Sequence, residues 1–128
     1  MFLRFVVYEI DWESRVTSGI FTAAYRLYYA DSLPDYEDER LARLLSWFNS
    51  HLETPTRFSR KPRRSSAARG VCWFKPTAKE HIARIFEMRL ILEENGVLTR
   101  MLKASKVGYV VYEDEHQMVA EPFADMNL

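Results

Sequence analysis

Phe2–Ile10 reads FLRFVVYEI, an almost unbroken run of β-branched, aromatic and aliphatic side chains. The run is short for a helix and lacks the alternation of a strand with one wet face. It therefore predicts a strand covered on both faces, near the centre of a sheet. The polar stretch Asp11–Thr17 reads as a connection.

Two helices are predicted next. Ser18–Ala30 (SGIFTAAYRLYYA) is apolar almost all round, with Ser18 placed to cap it. Its aromatics Phe21, Tyr25, Tyr28 and Tyr29 form a broad stripe, read first as core and second as a partner-binding face. Ser32–Glu53 is the clearest amphipathic segment: Leu41, Leu44, Leu45, Phe48 and Leu52 recur at helical spacing. Ser32 and Asp35 suit its start, and Pro34 suits the first turn. Asp35, Glu37, Asp38 and Glu39 fall where the helix dipole favours negative charge. The pair is expected to form a hairpin over the sheet.

Further along, Val71–Lys75 (VCWFK) reads as a short strand ended by Pro76. Thr77-x-x-Glu80 has the form of a capping box and opens a helix to about Asn95, with Gly96 as its stop. Ala78, Ile82, Ile85, Phe86 and Leu92 share one arc of that helix, and Arg89 lands near its middle. Val97–Lys103, Val107–Tyr112 and Gln117–Glu121 read as strands, with Glu113–His116 as a hairpin turn. The order is β-α-α-β-α-β-β-β. It predicts an α+β fold: a mixed sheet of about four or five strands, some of them parallel, with three helices mainly on one face. Aromatics on the strands (Phe5, Tyr8, Trp73, Tyr109, Tyr112) then make the other sheet face a candidate for dimerisation or ligand contact. We expect one domain over residues 1–128, with a loose tail at 123–128.

Composition narrows the function classes. The chain has 128 residues, one cysteine and four glycines. Cys72 alone makes neither an intrachain disulfide nor a cysteine zinc cluster, and the scattered glycines match no P-loop or dinucleotide fingerprint. The longest charge-free stretch, Val16–Tyr25, is too short to span a membrane. The N-terminal run, broken by Arg4 and Glu9, lacks the layout of a secretory signal. A cytoplasmic protein without a membrane partner is expected.

Catalytic and metal patterns are sparse. Cys72 sits in an apolar strand, where a thiol is usually an inert small hydrophobe, although His81 lies close enough in sequence to be weighed as its base. His51, His81 and His116 are far apart, and Glu113–His116 reads as a solvated turn before it reads as a cation site. Tyr109-Val-Val-Tyr112, an acidic residue and Gln117 resemble the terminal hairpin of ADP-ribosyltransferases of the poly(ADP-ribose) polymerase type. Gly108 stands where that family carries its catalytic glutamate, and the family's upstream histidine motif has no counterpart, so the resemblance implies no such activity here. No cofactor or metal is expected, and an enzymatic role is not favoured.

Charge placement carries the most information. The 18 basic and 18 acidic residues cancel, yet from Thr54 to Lys79 there are eight basic residues and no acidic one. The rest of the chain holds ten basic and 18 acidic groups, a balance of minus eight. Residues 54–70 contain Pro55 and Pro62 and no apolar period, so they read as a long basic loop. Arg57, Phe58, Arg60, Lys61, Arg63, Arg64, Arg69 and Lys75 form the candidate anion-binding set: arginine grips phosphate in two-pronged fashion, and Phe58 can stack on a base. The expected function is non-enzymatic binding of an anionic partner, nucleic acid first and an acidic protein surface second. One alternative is a homodimeric interaction module. The other is an enzyme for an anionic small molecule, with Lys75, His81 and Arg89 around a pocket.

Overall fold

The computed structural model describes residues 1–10, 17–53 and 71–121. The basic loop at 54–70 and the tail at 123–128 lie outside the described residues. The elements in chain order are β1 (Phe2–Ile10), β2 (Thr17–Gly19), α1 (Ile20–Tyr29), α2 (Asp35–His51), β3 (Val71–Phe74), α3 (Lys79–Glu94), β4 (Thr99–Ala104), β5 (Tyr109–Glu113) and β6 (Gln117–Glu121). The α+β class and the expected order hold, with β2 added.

Strands pair in the order β2-β1-β3-β6-β5, and β4 also pairs with β1. Consecutive burial of Phe5, Val6 and Val7 is what the unbroken apolar run of β1 demands of a strand with neighbours on both edges. β1 and β3 run antiparallel, with Leu3 opposite Phe74, not parallel as a helical crossover predicts. One helix between strands returns the chain to its starting end and gives a parallel pair. Here the connection is not a single crossover helix: it contains β2, which pairs antiparallel with β1, as well as α1 and α2, so the crossover rule does not govern this pair.

The described residues gather into two compact units. One contains residues 1–4, 71–79 and 102–121. Its interior is built on Trp73, Val107 and Ala120, flanked by Phe2, Val71, Leu102, Ala104, Val110 and Met118. β6 is central here, paired with β3 from Val71↔Ala120 to Phe74↔Gln117 and with β5 across an irregularity at Val111. Phe5 and Trp73 are buried, so these two strand aromatics belong to interiors and not to an open sheet face.

The other unit contains residues 5–10, 17–53 and 80–101. α1 and α2 form the expected hairpin, with the Phe21 ring edge-on to Phe48 at 5.0 Å. α2 buries Leu41, Leu44, Leu45 and Phe48, as its period requires. Both helices start later than expected. Ser18 lies in β2, and Gly19 occupies the cap of α1; Pro34 occupies the cap of α2, and neither cap residue makes a side-chain cap bond. α3 is rotated from the expected arc: His81, Ile85, Met88, Ile91 and Leu92 are buried, while Phe86 is exposed. It ends in a Schellman motif, Val97 N–H donating to Leu92 O and Gly96 N–H to Glu93 O, with Gly96 at φ +84°.

Candidate functional site

Of the sequence-derived anion-binding set, Arg57, Phe58, Arg60, Lys61, Arg63, Arg64 and Arg69 lie outside the described residues. Lys75 is placed. Its ammonium donates to Glu113 Oε2 at 2.5 Å, and its side chain keeps 22% exposure. Lys75 is therefore already ion-paired within the chain.

His81 and Arg89 do not converge on a shared polar cleft. His81 is buried, with Nε2 2.7 Å from the carbonyl oxygen of His51. A carbonyl only accepts, so Nε2 carries the proton and donates. The ring lies edge-on to Trp47 at 4.8 Å. This histidine ties the last turn of α2 to the first turn of α3. Arg89 is half-buried; its Nε–H donates to Thr99 Oγ1 at 2.8 Å, and Thr99 donates onward to Glu93 at 2.6 Å. The guanidinium also lies 5.0 Å from the Phe86 ring centre. Both residues act as ties between elements.

Cys72 and the β5–β6 turn form a polar chain inside the first unit. Cys72 and Gln117 are diagonal neighbours on one face of the β3–β6 ladder, which brings Sγ to 3.1 Å from Gln117 Oε1. Gln117 Nε2 donates to Asp114 Oδ2 at 3.1 Å. The carboxylate accepts only, so the Gln117 amide must turn its oxygen to the thiol, which donates. Asp114 also accepts from the backbone N–H of His116 at 2.8 Å, that of Gln117 at 3.1 Å, and the Tyr112 hydroxyl at 2.8 Å. Burial pushes the Asp114 carboxyl up, but these four donors outweigh it and hold its pKa below the ordinary value. Burial pushes the Cys72 thiol up to about 12, even with Arg4 near it. A thiol so protonated is a poor nucleophile, and His81 is engaged with His51. The acidic turn thus spends Asp114 on its own backbone and Glu113 on Lys75.

One cluster was not anticipated from sequence. The Trp47 ring carries the His51 ring in parallel stacking at 4.3 Å and the Arg84 guanidinium 4.1 Å from its centre. Arg84 in turn pairs with Glu80 at 2.9 Å. His51 and Trp47 are one helical turn apart on α2, so their stacking follows from i, i+4 geometry. The spacing carries this signal, but the leucine period of α2 is the stronger one and masks it. No family model, curated protein or solved structure matches the chain.

Proposed function

We propose that this chain is a non-enzymatic binding protein that engages a nucleic acid through its basic segment. The carrying observation is the charge segregation: eight cations and no acid between Thr54 and Lys79, against minus eight elsewhere. The fate of the other chemistry-bearing groups supports it. Cys72, His81, Arg89 and Asp114 each serve a contact that stabilises the fold. Fluorescence anisotropy with labelled single strands and duplexes tests the reading. Micromolar binding that weakens at least tenfold when Arg57, Arg60, Arg63 and Arg64 all become alanine is expected, on the order of the loss for several phosphate contacts. Absent binding, or binding that the fourfold variant leaves unchanged, rejects it.

Self-association is a second reading, supported by a different observation. Phe86 and Leu90, one turn apart on α3, are 43% and 55% exposed. Light scattering that reports a monomer across micromolar concentrations rejects this reading.

A further inference from the structure

The outer face of α2 carries aromatic and cationic side chains together. Tyr36, Arg40, Arg43, Trp47, Ser50 and His51 fall within an arc of about 100° at 3.6 residues per turn. The acidic residues of the helix, Asp35, Glu37, Asp38 and Glu39, all fall outside that arc. Tyr36 is 70% exposed. Arg40, Arg43, Ser50 and His51 are exposed and Trp47 is half-buried. The stripe runs about 22 Å from Tyr36 to His51, and the Arg84 guanidinium joins it over Trp47.

A solvated helix face needs no aromatic ring as exposed as Tyr36, and this arc carries positive charge on a helix that is acidic elsewhere. An exposed flat ring beside guanidinium groups suits one ligand class. Tyr36 offers an open ring to stack on a base, and Arg40 and Arg43 pair with the neighbouring phosphates, while Trp47 is covered by His51 and Arg84. Duplex DNA offers its phosphates but keeps its base faces stacked inside, so the aromatic half of the stripe would have nothing to bind. We infer that the outer face of α2 is a binding surface for single-stranded nucleic acid. This inference rests on the nucleic-acid reading of the basic segment and assigns a second contact surface to it.

The test uses the full chain and a fluorescein-labelled oligouridylate, across a salt series. Arg40→Ala with Arg43→Ala should weaken binding about tenfold or more and make the salt slope shallower by roughly 1.4, the share of two phosphate contacts on a single strand. Tyr36→Ala should weaken binding roughly fivefold or more, with little change in slope. Photo-crosslinking of the wild-type chain to a 5-iodouridine oligonucleotide should label Tyr36, a readout that no variant's folding affects. If the wild type binds, the Arg57/Arg60/Arg63/Arg64 variant loses binding, and the α2 variants bind like wild type with no α2 crosslink, the α2 surface is wrong and the basic-segment reading stands. If the wild type binds duplex DNA but no single strand, the α2 surface falls and the basic-segment reading stands; if it binds neither, both fall.

Discussion

Asp114→Ala removes the acceptor at the centre of the β5–β6 turn. Four donors lose this acceptor at once: the N–H groups of His116 and Gln117, the Tyr112 hydroxyl and the Gln117 side-chain amide. A hydrogen bond to a charged acceptor contributes about 1.5–3 kcal/mol, but four that share one carboxylate do not add, and the turn amides can recover water. Gln117 is buried, so its side-chain amide recovers least. We expect a loss of about 3 kcal/mol, or roughly 10 °C in Tm for a chain of this size. Asp114→Asn keeps one oxygen acceptor and should cost about half as much. The pH dependence follows from the same contacts. The folded Asp114 carboxyl has its pKa held below the unfolded value, so its stabilisation is complete above the unfolded value of 3.8. It fades as pH falls from there through the folded value. Urea unfolding followed by circular dichroism, repeated from neutral pH into the acid range, measures both effects. Wild type should lose stability on the acid side more steeply than Asp114→Asn. A cost below about 1 kcal/mol for Asp114→Ala, or parallel acid profiles, refutes the view that this carboxylate organises the hairpin.

Three further outcomes are expected. His81→Leu keeps an apolar side chain in place but removes the donor to the His51 carbonyl; it should cost about 1–3 kcal/mol in urea unfolding. Cys72, with its thiol pushed up to about 12, should react with iodoacetamide in the folded chain at least about 100-fold more slowly than in urea, as followed by mass spectrometry. Gly96→Ala meets no atom within 4 Å, so its cost, about 1 kcal/mol in thermal unfolding, comes from forcing a Cβ into φ +84°.

Local signals were legible in the sequence wherever one residue type dictates one conformation. β1 announces its burial through Phe5, Val6 and Val7, α2 through its leucines, and the stop of α3 through Gly96. β2 was illegible because Thr17-Ser-Gly has no side-chain pattern, and its pairing with β1 is a backbone property. The rotation of α3 was missed because a 3.6-residue period does not decide between neighbouring arcs when Phe86 and Met88 are both apolar. Tertiary contact decides it, and places His81 inside through its bond to His51. Of the candidate site, the basic segment was legible as charge alone. Lys75, His81 and Arg89 were drawn together by residue type, and their actual partners, Glu113, His51 and Thr99, depend on packing that no spacing encodes. The α2 stripe was visible in principle at Tyr36, Arg40, Arg43 and Trp47, but the acidic first turn of the helix disguised it.

The slope of log affinity against log salt for duplex DNA tests the central claim most directly, because it counts phosphate contacts. With about four cations of the basic segment engaged, the slope should lie near −3 to −4, and it should collapse toward zero when Arg57, Arg60, Arg63 and Arg64 are replaced by alanine. A wild-type slope near zero, or the same slope in the variant, contradicts the assignment of the basic segment as the nucleic-acid contact.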